Sequence, residues 1–257
     1  MEKLLLSRIG DLLRAAQRGD TAASPFLTPE EAVRCDEYLK RNEPEAAYRL
    51  WGGYDDAERK RLFLLSAYSV FPEEDFREAY GEKIRALRIE GSGYASLNHR
   101  SFLGALLALG IERDTLGDII VEQERSAILL CDSAIADFLL TSPSPLSTVG
   151  RDKVKVSAMT LREGYAPERP MQIMSDTVSS PRLDAVVAAL CGLSREKAKA
   201  LVCGGGVRVN YLEKDDPSAV LCEGDLLSVS GFGRFRIEGV SERTRKNRIR
   251  LIASKYL

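Results

Sequence analysis

The spacing of apolar residues divides the chain into helical and strand-like stretches. Leu5, Ile9, Leu12 and Leu13 line one side of an opening helix, with acidic and basic residues mixed over the rest. Thr28 then stands where an N-cap hydroxyl is needed, Pro29 takes the first helical position and two glutamates fill the first turn. This predicts a helix over 29–42. Strand-like runs follow at 47–51 and 60–66, separated by GGYDDAE. Further on, 82–90 alternates like a strand, and Asn98 caps a helix carrying Phe102, Leu103, Leu106 and Leu107. Residues 117–121 and 126–131 read as strands joined by EQER, Asp132 caps a second helix, and 152–158 reads as a last strand. This β-α-β-β-α-β order is the split βαβ, ferredoxin-like arrangement. Its strands show no aromatic signature of a base-stacking platform.

A third pattern begins at Pro181. Leu183, Val186, Val187 and Leu190 fall at i, i+3, i+4 and i+7. Ser194 opens a second helix with the stripe Ala198, Leu201 and Val202, beside which Arg195 and Lys199, four apart, share a face. Glycines 204–206 end that helix. Val207 and Val209 then alternate with Arg208 and Asn210, Phe235 and Ile237 with Arg234 and Arg236, and Ile249 and Leu251 with Arg248 and Arg250. Apolar groups turn inward and basic or amide groups outward, which suits a phosphate backbone. The fold class expected is α+β: a small N-terminal α/β unit over 1–75, a ferredoxin-like domain over 76–160, a linker over 161–180 that becomes extended near its end, and a basic αα-β domain over 181–257.

Charge sharpens this division. The net charge of −1 conceals an asymmetry: residues 181–257 hold 14 Lys/Arg against 9 Asp/Glu, and residues 1–180 hold 23 against 29. Such a basic region on an acidic body is the electrostatic footprint of a local nucleic-acid site. The densest run, RTRKNRIR over 243–250, adds Arg245, Lys246 and Arg248 as candidates. His99, the one histidine, sits with Arg100 at a helix start, where backbone amides favour an anion; structural, RNA-contacting and catalytic roles all remain open to it. The 52–61 stretch likewise admits a ribosome-facing role or a plain hairpin loop with exposed charges. Five cysteines without a C-x-x-C pair are expected to be reduced, mostly buried thiols, and no metal or cofactor is expected. With no bilayer-length apolar run and no leader-like N-terminus, cytoplasm is the expected compartment.

RLD at 182–184, LSREKAKALV at 193–202, GGVRVN at 205–210, EGD at 223–225 and GFGRF at 231–235, in this order, resemble an S4 RNA-binding domain. With FLTPEE (26–31), GGYDDAERKR (52–61) and LNHRSFLGALLALGIERDTLGDIIV (97–121), nearly the whole chain resembles the YlmH family of bacterial S4-domain proteins. That resemblance implies a non-enzymatic RNA-binding factor, encoded in many Gram-positive bacteria among cell-division genes. It implies a role in ribosome-associated quality control, on a stalled large subunit carrying peptidyl-tRNA, in support of C-terminal tailing of the nascent chain. Carried over by position, rRNA and tRNA contacts fall on Arg182, Ser194, Arg195, Lys197 and Lys199, and on the strand-side Arg208, Asn210, Arg234 and Arg236. Two other classes stand beside this one. An RNA-modifying enzyme of the pseudouridine synthase kind could use RLD catalytically, and a division-associated interaction protein could use the acidic N-terminal half to bind protein partners.

Overall fold

In the computed structural model, residues 2–19, 22–65, 76, 80–243 and 248–257 are described. Two compact units divide the chain, Met1–Pro167 and Glu168–Leu257.

The first unit opens with α1 (Glu2–Gln17), the two-residue β1 (Ala22–Ala23) and α2 (Pro29–Asn42), followed by β2 (Tyr48–Trp51) and β3 (Arg61–Leu64). The N-cap reading holds in full at α2. The Thr28 hydroxyl accepts from the Glu31 amide, and the Glu31 carboxylate accepts from the Thr28 amide, a reciprocal capping box. β1, β3 and β2 form an antiparallel sheet in that order. Leu5 and Ile9 of α1 and Cys35 and Leu39 of α2 pack with Leu62 and Leu64 of β3.

The same unit holds β4 (Ile84–Gly91), α3 (His99–Ala108), β5 (Leu116–Glu122), β6 (Ser126–Asp132), α4 (Ser133–Leu139), β7 (Thr148–Val149) and β8 (Asp152–Met159). The sheet order is β5-β6-β4-β8-β7, every pair antiparallel. Apart from the small β7, this is the ferredoxin-like topology expected from the order of elements. The predicted caps are present: the Asn98 side chain accepts from the Ser101 amide and that of Asp132 from the Ala134 amide. The EQER turn is a three-residue hairpin loop, Gln123 to Arg125, with positive φ at Gln123 and Glu124, 51° and 52°, and the Arg125 amide donating to the Glu122 carbonyl.

Both faces of this sheet are covered. Leu87, Ile89, Leu129 and Cys131 face Phe102, Leu106, Ala136 and Leu139 of α3 and α4. On the other face, Ile84, Ala86, Ile128 and Leu130 pack against Phe26, Tyr54, Phe63, Phe76 and Tyr80. Gly117 of β5 shows how close that approach is: a Cβ there would lie 2.7 Å from the Phe26 ring. The arginines of the 52–61 stretch hold the two layers together. Arg59 donates to the carbonyls of Leu116, Phe26 and Arg113, and Arg61 to those of Ser24 and Lys83 and to the Asp132 carboxylate. Asp118 accepts from the Tyr54 hydroxyl at 2.7 Å and from the amides of Glu58 and Arg59. Arg59 and Arg61 are half-buried and bonded to other elements, so the reading of an exposed-charge loop is corrected for these two and holds for the exposed Asp55 and Asp56.

The second unit is a six-stranded antiparallel sheet with two helices on one face. It comprises β9 (Met171–Val178), α5 (Leu183–Cys191), α6 (Arg195–Cys203), β10 (Val207–Val209), β11 (Leu212–Glu213), β12 (Leu226–Val229), β13 (Gly233–Arg243) and β14 (Ile249–Tyr256), in the order β11-β10-β12-β13-β14-β9. Its core joins Leu183, Val186, Val187 and Leu190 of α5 and Ala198 and Val202 of α6 to Val207, Leu227, Phe235, Ile237, Leu251 and Ala253 of the strands. At Gly205, φ is +73°, the left-handed turn that ends α6. The largest departure from the sequence reading is β9. Residues within the expected linker form an eight-residue strand that pairs with β14 from Met171↔Tyr256 to Val178↔Ile249.

The cysteines also depart from expectation. All five are free, but only Cys35 and Cys131 are buried, where desolvation pushes their thiols up to about 12. Cys203 and Cys222 are exposed. Among the described residues, no cluster of His, Cys, Asp and Glu could hold a metal ion, and no helix is long and apolar enough to cross a membrane.

Candidate nucleic-acid interface

The basic residues of the second unit fall on two faces, and the strand pairing decides which. Because Val207, Leu227, Phe235 and Ile237 point toward α5 and α6, alternation sends Arg208, Arg234 and Arg236 to the opposite side of the sheet. Arg182, Ser194, Arg195, Lys197 and Lys199 lie on the helical side. The structure therefore brings the candidates together as two groups rather than one.

On the helical side the organising residue is Asp184, which is only 5% exposed. Arg182 reaches its two carboxylate oxygens from Nε and Nη2 at 3.3 Å each, and Arg195 Nη2 reaches Oδ2 at 2.8 Å. Burial works to raise this carboxyl, but the hydrogen bonds and charges of the two arginines outweigh it and hold it below the usual carboxylate range. Both guanidinium groups remain partly in solvent, so each can still meet a phosphate while Asp184 fixes its direction. Ser194 caps α6, its hydroxyl accepting from the Lys197 amide at 3.3 Å. Arg195, Lys197 and Lys199 are exposed around the start of this helix, whose buried stripe is Ala198 and Val202. Positive side chains and the amide end of a helix thus point outward together.

On the sheet side, Arg208 and Arg236 are exposed. Arg234 lies over two rings, its guanidinium carbon 5.9 Å from the centre of Tyr211 and 5.2 Å from that of Tyr256. Neither tyrosine stands out in the sequence; only the register of the strands puts them beside Arg234. Asn210 has a local task. With Tyr211 it forms the two-residue hairpin between β10 and β11, at φ 50° and 71°. Its side chain donates to Asp225 Oδ1 at 2.8 Å and accepts from the Leu226 amide at 2.9 Å. Arg248 donates to the Thr177 carbonyl, binding β14 to β9. Arg245 and Lys246 lie outside the described residues.

His99 and Arg100 belong to the first unit, exposed at the start of α3. Partial desolvation, and then the positive charge of Arg113, hold His99 below the ordinary imidazole range.

Two family models match the chain. One, described as "Putative RNA-binding domain in YlmH", covers residues 78–163, which hold the ferredoxin-like sheet. The other, the S4 domain, covers residues 181–227 and so takes in α5, α6, β10 and β11. The "Ribosome-associated protein quality control protein P2" of Bacillus subtilis (strain 168) is 35% identical over 227 residues, spanning 88% of this chain and 84% of that protein. Among solved structures, "Cell division protein ylmH from Streptococcus pneumoniae" matches with a TM-score of 0.48 at 20% identity, over 62% of this chain and 90% of that one.

Proposed function

The chain belongs to the YlmH family of S4-domain RNA-binding proteins, and from that premise we propose that it binds rRNA and tRNA on the large ribosomal subunit through its second unit. In this reading it acts in the cytoplasm, in ribosome-associated quality control of stalled peptidyl-tRNA complexes, and performs no chemistry of its own. The observation that carries the RNA contact is the Asp184 pair. A buried carboxylate that directs Arg182 and Arg195 outward beside Lys197, Lys199 and a capped helix start is a preorganised phosphate-binding surface. Structured RNA presents phosphates and 2′-hydroxyls at that scale. The same geometry speaks against the RLD triplet as a catalytic aspartate, because both oxygens of Asp184 are occupied by arginines and the residue is buried.

The test is co-sedimentation with purified large-subunit particles carrying peptidyl-tRNA. Arg195→Ala with Lys199→Ala is expected to weaken binding and to reduce the slope of log affinity against log salt by about two at most. Binding unchanged at moderate salt would sink this assignment. Mapping of rRNA and tRNA modifications with and without the protein tests the absence of chemistry, and one lost modification would overturn it.

A further inference from the structure

We propose that the outer face of the second unit's sheet is a separate landing surface for single-stranded RNA, distinct from the helical-side surface assigned above. The inference rests on the RNA-binding reading and deepens it by giving the second basic face its own class of ligand.

The strand register builds this face. Arg208 of β10 pairs with Ser228 of β12, and Ser228 with Arg234 of β13. Since Phe235 pairs with Lys255, Arg234 stands opposite Tyr256 of β14, which pairs with Met171 of β9. One row across five strands therefore reads Arg, Ser, Arg, Tyr, Met, on the side turned away from α5 and α6. The row beside it contains Arg236, Ser254 and Ile173. Tyr211, from the β10–β11 hairpin, also packs its ring against the guanidinium of Arg234. Neighbouring strands lie about 4.8 Å apart and residues rise about 3.3 Å each along a strand, so Arg208 and Arg236, two strands and one row apart, stand about 12 Å from each other across the face.

Three properties of this surface select its ligand. It is open, with Arg208 and Arg236 exposed and Met171 and Ile173 exposed by 47% and 77%. Its cations Arg208, Arg234 and Arg236 are flanked by two exposed acids, Glu213 paired with Arg208 and Glu238 two residues beyond Arg236. It offers π-faces and apolar side chains in the same plane as the cations. A polyanion of regular duplex form could use the arginines but would leave the rings and the apolar end without a partner, because its bases are stacked inside. An unstacked strand uses all three: phosphates on Arg208 and Arg236, bases on Tyr256 and Tyr211, and a further base over Met171 and Ile173. Ser228, between Arg208 and Arg234, keeps the surface low enough for a base to approach.

The probe is a fluorescein-labelled oligouridine 12-mer, set against a 12-base-pair RNA duplex, both titrated with the full chain. Tyr211→Leu with Tyr256→Leu is expected to weaken single-strand binding tenfold or more while leaving duplex binding unchanged. Tyr211→Phe with Tyr256→Phe keeps the rings and should bind as the parent does. A parent chain that binds no single strand, or leucine variants that lose both ligands equally, would overturn the proposal, the first result leaving the face to a protein partner. Should the leucine variants misfold, photocrosslinking of 5-bromouridine-substituted oligonucleotide to the unaltered chain decides. Adducts on β13, β14 or Tyr211 support the assignment, and adducts confined to α6 or the first unit refute it. The Arg195/Lys199 variants separate the two readings. They should leave oligouridine binding intact, so loss of large-subunit binding there, with no effect of the tyrosine changes on oligouridine, sinks this inference and keeps the broader one.

Discussion

The ferredoxin-like sheet and the C-terminal sheet solve the same packing problem and then diverge. Each is antiparallel and each buries one face under a pair of helices, α3 and α4 in the first unit, α5 and α6 in the second. In the first, the opposite face is closed by Phe26, Tyr54, Phe63 and Tyr80, and the arginines beside it, Arg59 and Arg61, donate to backbone carbonyls and to Asp132. In the second, the opposite face carries Arg208 and Arg236 exposed, with Arg234 half-buried against the rings of Tyr211 and Tyr256. The contrast shows that arginine content does not locate an RNA surface. What matters is whether the guanidinium donors are already taken by the fold. A ferredoxin-like sheet is a familiar platform for RNA, yet here its second face is interior, and the exposed basic sheet belongs to the other unit.

Breaking the first unit's cover should have the largest effect. Asp118→Ala leaves the Tyr54 hydroxyl and two amides without their acceptor and is expected to destabilise that unit by about 3 kcal/mol. Hydrogen exchange should show faster opening of β3 and β5 and no change in β12 or β13. Equal acceleration in both units would contradict their separation. Asp184→Asn should cost less, about 1 kcal/mol, since Arg182 and Arg195 stay partly hydrated, but it should also weaken large-subunit binding several-fold because both cations lose their direction.

The same pair gives a pH signature. Asp184 is depressed in the folded state, so its contribution is present above the ordinary carboxylate value of about 3.9 and is lost as pH falls through the lower folded value. The stability difference between the parent and Asp184→Asn should therefore shrink only under acid conditions, as read from denaturant midpoints between pH 7 and pH 2. The smallest effect on the fold is expected at the open face. Arg208→Ala should change stability by no more than about 0.5 kcal/mol yet lower the salt slope of RNA binding by about one.

Local chemistry made much of this fold legible. Thr28, Asn98, Asp132 and Ser194 each cap the helix that their side chains announce, because a cap needs only the next three residues. The order of elements sufficed for the ferredoxin-like topology. β9 was not legible, because Met171 and Ile173 point to solvent and the usual inward apolar rule misleads there. Its strand character comes from pairing with β14, far along the chain. Arg59 and Arg61 were opaque for a related reason, since backbone carbonyls from other elements leave no mark in a sequence. At the candidate site the basic residues were readable, but their sorting onto two faces, the Asp184 clamp and the Tyr211–Arg234–Tyr256 stack all depend on tertiary register.

The β9–β14 ladder also bears on how the C-terminal unit can be excised. The S4 match begins at residue 181, and a fragment started there would remove β9 and bare eight residues of β14 along one edge. Such an edge is a template for pairing with another copy of itself. A fragment over 168–257 keeps its own guard strand. In dilute solution it should remain monomeric by light scattering, while the shorter fragment self-associates. Because β9 and β14 run side by side, the ends of the longer fragment lie close enough to be joined by a short loop, which makes this module a ready subject for circular permutation.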